Sequence, residues 1–142
     1  MFVDASVIVA ILAREPGHEE IEKRMTSAGG QFFVSPLAKF EAAIALALLK
    51  GRGRAANAKP TPAHLRQAQA AVDAFAGGLE AEEIGISPEI GRLAFEASLT
   101  YGKAVGHVAD LNFGDCFAYA CAKALGVPLL YKGNDFAHTD LA

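Results

Sequence analysis

Between Leu111 and Phe136 the chain reads LNFGDCFAYACAKALGVPLLYKGNDF. A helical stretch runs from about Phe113 to Leu125, Gly126 supplies its stop, and Val127 to Tyr131 is an apolar run of strand length. A buried strand reached directly through a helix belongs to a parallel sheet, because parallel neighbours need a crossover connection and antiparallel ones do not. The stretch therefore constrains the whole chain: the remaining strands must join this one, and the remaining helices must cover them. It also carries an acid at each end, Asp115 where the helix opens and Asp135 after the strand.

The upstream pattern agrees. Met1 to Val3 is a short apolar run leading into Asp4, and Val7 to Leu12 is apolar on every side, as a buried helix is, with Ser6 or Asp4 available to cap it. Pro16 and Gly17 break that pattern, and His18 to Ser27 reads as a charged helix with Ile21 and Met25 on its inner face, ended by Gly29 and Gly30. Gln31 to Val34 reads as a strand. Ser35-Pro36 then starts a helix to about Lys50, since the hydroxyl accepts an orphan amide and the proline loses nothing by lacking one. A further helix spans roughly Ala63 to Ala76, stopped by Gly77 and Gly78. Ile84 to Ile86 is a short strand candidate, and Ser87-Pro88 repeats the start signal before a helix to about Tyr101.

Strands alternating with helices predict an α/β fold, a three-layer α/β/α sandwich with a short, mainly parallel central sheet. The 142 residues suit one domain over 1–142. Although 52% of the chain is apolar, no run of about eighteen apolar residues lacks a charge or a breaker, which predicts a soluble chain. No basic run precedes the first apolar residues, which argues against a signal peptide and for the cytoplasm. Cys116 and Cys121 lie on different sides of one helix and read as small core residues rather than a disulfide or a metal pair.

The net charge of −3 carries no global nucleic-acid signature, but its distribution is uneven. From Glu41 to Asp73 no acid intervenes, while Lys50, Arg52, Arg54, Lys59 and Arg66 all fall there. A solvated helix end explains this as readily as a phosphate-facing edge does.

Four carboxylates need explaining. Glu41 falls in the same narrow helical stripe as Leu37, Ile44 and Leu48, where a carboxylate must either be desolvated or face water, a cation or a donor at the stripe's edge. Asp115 follows Asn112 by three residues, as in a capping box; Asp135 could be a turn residue in Gly133-Asn134-Asp135; Asp4 could be a cap. Each reading stands alone, but together the four recur at strand ends and helix starts. In a parallel sheet ligands collect outside the carboxyl ends of the strands. Acids gathered there repel one another unless a cation neutralises them, and an oxygen-only set suits Mg²⁺ or Mn²⁺. Such an ion serves phosphoryl chemistry, which makes a phosphodiester the natural substrate class.

The pieces FVDASVIVAIL, SPLAKFEAAIAL, LNFGDCFAYACAKALGVPLLYKGNDF and the closing His138-Thr139-Asp140 stand in one order over nearly the whole chain. In this the sequence resembles the PIN-domain ribonucleases, specifically the VapC-type toxins of toxin–antitoxin modules. The resemblance implies a catalytic cluster of Asp4, Glu41, Asp115 and Asp135, with Asp4 and Asp115 as direct metal ligands and Ser6 supporting them. It implies a Mg²⁺- or Mn²⁺-dependent endoribonuclease that hydrolyses RNA, often structured RNA such as tRNA, by metal-activated water, leaving a 5′-phosphate and a 3′-hydroxyl. It also implies a homodimer and a cognate VapB-type antitoxin. For Asp115 the expectation is a carboxylate turned out to the metal rather than back onto its own helix.

Two other readings compete. A phosphoryl-transfer or phosphatase domain also places an Asp after its first strand, but here Ala5 and Ser6 follow Asp4 without a second acid two places on. A catalytically silent PIN-like binding module would not need all four acids. His107 and His138 read as loop residues rather than bases, and Phe32, Phe33, Phe113, Phe117 and Tyr119 as core or dimer contacts rather than base-stacking platforms.

Overall fold

The structure is a computed structural model and describes residues 1–52 and 59–141. Four two-residue strands, β1 (Phe2–Val3), β2 (Phe33–Val34), β3 (Glu82–Glu83) and β4 (Leu129–Leu130), form one parallel sheet in the order β3-β2-β1-β4. Phe2 pairs with Phe33 on one side and Leu129 on the other. Successive strand residues point to opposite faces, and Phe2 and Val3 are both buried, at 0% and 1% exposure. Both faces are therefore covered, and the α/β/α sandwich expected from the alternation is the fold observed.

The covering helices are α1 (Ala5–Leu12), α2 (His18–Ala28), α3 (Pro36–Arg52), α4 (Pro62–Gly78), α5 (Pro88–Tyr101) and α6 (Phe113–Leu125). Their buried faces are built largely of small residues: Ala42 and Ala47 on α3, and Ala120, Cys121 and Ala122 on α6, are fully enclosed. Both cysteines are unpaired and buried, as core residues are. Side chains this short let helices approach the sheet and each other closely, which raises the packing contact available to a small core. Among the described residues no helix is long and apolar enough to cross a membrane.

Several element limits differ from the sequence reading. The third strand is Glu82–Glu83, both exposed, rather than Ile84–Ile86. It lies at the sheet's edge, where apolar alternation is not required, and only its last ladder bond, Ile84 N–H to the Val34 carbonyl at 2.9 Å, reaches the predicted segment. Helix α4 continues through Gly77 and Gly78 rather than stopping before them. Asp4, not Ser6, caps α1, its side chain accepting the Ser6 amide.

Candidate functional site

The strand order places β2 on one side of β1 and β4 on the other, so the connections change direction at β1. That is the point outside which a parallel sheet opens a crevice at its carboxyl edge. Asp4 is the first residue beyond β1 there, 5% exposed. Its Oδ2 accepts the Ser6 amide at 2.9 Å and the Ser6 hydroxyl at 2.5 Å, and Ser6 Oγ in turn accepts the Lys132 amide at 3.0 Å. One hydroxyl thus ties the exit of β4 to the carboxylate beyond β1.

Asp115 reaches the same place from the start of α6. Asn112 Oδ1 accepts the amides of Gly114 and Asp115 at 2.7 and 3.2 Å, and Asp115 Oδ2 accepts the Asn112 amide at 2.8 Å. This closed capping box corrects the expectation of a carboxylate turned wholly away from its own helix. A nearly buried carboxylate beside an orphan amide gains a charge-assisted bond by turning one oxygen back. Its Oδ1 takes no part in that box.

Glu41, half-buried on α3, rests its carboxylate on Gly114, which stands beside Asp115 on α6. Asp135 is exposed at the head of a 3-10 turn, Asp135–His138, five residues beyond β4.

The electrostatics show that these acids sense one another. Burial pushes the Asp4 carboxyl above its usual range, against the Ser6 hydrogen bonds, and the charge of Asp135 adds to the rise. Burial also raises Glu41, followed by the charges of Asp4 and Asp115. Asp115 is pushed up to about 6, chiefly by burial; the Asn112 amide opposes the rise, and Asp4, Asp135 and Asp110 reinforce it. Among the described residues no Lys, Arg or His forms an ion pair with any of the four.

Among those residues, too, no group of three or more His, Cys, Asp or Glu side chains is already arranged as a set of metal ligands. The chemistry of the donor set nevertheless fits a hard divalent ion. It is oxygen-only, it gathers like charges, and among the described residues no ion pair neutralises it.

Two participants escaped the sequence reading. Gly114 is one; a glycine in the first turn of a helix was the available signal, but only the tertiary approach of Glu41 explains it. Asp110 is the other: its backbone is left-handed at φ 51°, its carboxylate lies 3.8 Å from Lys103, and its charge is felt by Asp115. Of the histidines, His107 accepts the Ala109 amide at 3.1 Å and His138 is exposed in the 3-10 turn. Tyr119 is buried and Phe32, Phe33 and Phe117 pack on the core, but Phe113 is 69% exposed and so is no core residue. It sits at the first position of α6, ahead of the helix's buried stripe.

A sequence profile of the PIN domain matches residues 1–141, and the chain belongs to that family. Relatives matching it end to end are VapC ribonucleases. One, from Rhizobium meliloti (strain 1021), is 50% identical over 99% of this chain and 98% of its own length. Another, ribonuclease VapC30 of Mycobacterium tuberculosis, is 37% identical over 100% of this chain and 96% of its own. The crystal structure of Mycobacterium tuberculosis VapC20, a toxin that cleaves the sarcin-ricin loop, superposes with a TM-score of 0.65 at 17% identity, covering 96% of this chain and 92% of that one; it is a likeness of fold. These relatives favour neither the phosphatase reading nor the silent module.

Proposed function

We propose that the chain is an endoribonuclease toxin of a toxin–antitoxin pair, dependent on Mg²⁺ or Mn²⁺, with Asp4, Glu41, Asp115 and Asp135 as its site. The observation that carries this reading is the placement of Asp4 just beyond β1 at the switch point of the sheet, with Glu41 laid on Gly114 beside Asp115; burial holds all three carboxyls above their usual range, and among the described residues none of them is ion-paired. Asp4 and Asp115 would hold the ion, and Glu41 and Asp135 would complete the site directly or through water. A bound divalent ion supplies neutralising charge at the scissile phosphate and acidifies water for in-line attack.

The chain's own residues prepare that chemistry. Ser6 fixes the rotamer of Asp4 by two bonds to one oxygen. The Asn112 amide does the same for Asp115. Gly114 leaves room for the Glu41 carboxylate. Supports of this kind tune ligands by orienting them.

The substrate is RNA, with structured RNA such as tRNA as the expected target, and the products carry a 5′-phosphate and a 3′-hydroxyl. The antitoxin is of the VapB type, and the protein acts in the cytoplasm. A homodimer is supported by the aromatic surface that Phe95 and Phe113 expose, 66% and 69%.

The test is Asp4→Asn assayed on RNA with Mg²⁺ or Mn²⁺. The variant should be inactive, and it should lose the metal-induced rise in melting temperature expected of wild type, a stabilisation of about 2.7 kcal/mol at a hundred-fold excess over Kd. Cleavage by Asp4→Asn at the wild-type rate would overturn the assignment.

A further inference from the structure

Asp135 is carried by a strap with no strand to hold it. β4 ends at Leu130, and the segment from Tyr131 to Leu141 contains only the 3-10 turn Asp135–His138. An exposed carboxylate on such a segment stands where the ties at the two ends of the strap put it. At the near end Lys132 gives its amide to Ser6 Oγ at 3.0 Å and its Nζ to Glu15 Oε2 at 2.6 Å, which binds the strap to the helix that Asp4 caps and to the turn that follows it. In the middle Phe136 is 1% exposed, its ring 4.9 Å from that of Tyr131.

The far end is tied by side chains alone. Asp140 Oδ1 accepts the Tyr119 hydroxyl at 2.8 Å, and Oδ2 accepts Lys123 Nζ at 2.5 Å. Lys123 Nζ also lies 5.6 Å from the centre of the Tyr119 ring, a cation facing a π system, which holds the two donors together. Tyr119 and Lys123 follow Asp115 by four and eight residues on α6, along one side of it. A single helix therefore presents one acid of the site at its start and grips the strap bearing another acid further along.

A surface ion pair fastening the chain's tail would look partly similar. Two features distinguish this one. Tyr119 is a buried residue, 9% exposed, so the hydroxyl it donates to Asp140 is held in place by a ring packed into the protein rather than by a free surface side chain. The four residues separating Asp135 from Asp140 are also internally braced: Thr139 Oγ1 donates to the Phe136 carbonyl at 2.9 Å and accepts the Leu141 amide at 3.1 Å. A displacement of Asp140 passes along this compact segment instead of being taken up by slack.

We propose that Tyr119 and Lys123 form a clamp on Asp140 that sets where Asp135 stands in the acidic site. They are positioning residues, and the inference rests on the nuclease reading above.

The experiment is a double-mutant cycle on the full chain. Tyr119→Phe, which keeps the ring and removes only the hydroxyl, is made in the wild-type and in an Asp135→Ala background. Two quantities are read: the Mn²⁺ concentration giving half the metal-induced rise in melting temperature, without RNA, and kcat and KM for RNA cleavage. In the wild-type background Tyr119→Phe should raise the Mn²⁺ midpoint or lower kcat by about ten- to a hundred-fold, with KM for RNA unchanged. In the Asp135→Ala background, where the Mn²⁺ midpoint is the quantity compared, the same substitution should cost nothing further, because the carboxylate it positions is gone.

An equal loss in both backgrounds would make the clamp merely structural and overturn the proposal, as would no loss in either. Lys123→Gln, at an exposed side chain, runs the same cycle should Tyr119→Phe fail to fold. A wild-type chain that cuts no RNA sinks the nuclease reading and leaves the clamp to be decided on the Mn²⁺ midpoints alone.

Discussion

The Glu41 carboxylate lies so close to the Cα of Gly114 that a Cβ built on that glycine would stand 2.2 Å from Oε2 and 2.7 Å from Cδ. Helix α3 delivers its one acid onto the first turn of α6 because position 114 has no side chain.

Gly114→Ala should consequently separate stability from activity. Alanine is a better helix former than glycine by up to about 1 kcal/mol. The atoms in its way are the end of a flexible side chain, so the fold yields by moving Glu41. Chemical denaturation should show stability kept or slightly raised, while cleavage of RNA falls about ten-fold or more. Wild-type cleavage would mean that the place of Glu41 is immaterial.

The raised acids set a pH dependence opposite to the usual one. A carboxyl whose folded pKa lies above its unfolded value binds protons more tightly in the native state, so its contribution to stability is lost as pH rises. For Asp115 the window runs from 3.8 to about 6, and Asp4 and Glu41 act in the same direction. Asp140, lowered by Lys123, acts the other way, but only as pH falls below the ordinary carboxylate range. Metal-free wild type should therefore gain melting temperature relative to Asp115→Asn on going from about pH 7.5 to about pH 5. Saturating Mn²⁺ at the higher pH should remove much of the difference, since the ion replaces the proton as the neutralising charge.

Ser6→Ala removes a donor from Asp4 and an acceptor from the Lys132 amide together. Leaving such a group unpaired costs about 1–3 kcal/mol. Urea unfolding should report a loss in that range, and cleavage should fall beyond what the unfolded fraction explains. Activity in strict proportion to folded protein would limit Ser6 to a structural role.

Lys50 is exposed at the end of α3, while the Arg52 side chain and Arg54 lie outside the described residues. Replacing all three with Gln should weaken RNA binding and lower the salt slope by about 2, at roughly 0.7 per phosphate contact on single strands. An unchanged slope would return this basic run to the solvated helix end that also explains it.

What was legible in the sequence was local. Ser35-Pro36, Ser87-Pro88 and Asn112 announce helix starts because a cap acts on amides two or three residues away. Gly126 announces a stop because the left-handed backbone it adopts, φ 63°, favours glycine. Glu41 stood out because helical periodicity sets an acid in a stripe of apolar neighbours. The edge strand was misplaced for the same reason: Glu82 and Glu83 belong to the sheet through backbone pairing to β2, which leaves no apolar signal in their side chains.

By itself, then, the sequence determined the alternation of helices and strands, hence a parallel sheet, and the four acids worth following. Only the tertiary structure decided that β4 lies beside β1, so that Lys132 meets Ser6 across 126 positions. It alone turned one oxygen of Asp115 back to Asn112, set Glu41 upon Gly114 and tied Asp140 to Tyr119. Caps and periodicity are settled within a few residues of chain, whereas strand order and the meeting of distant side chains follow from how whole layers pack, which no local pattern records.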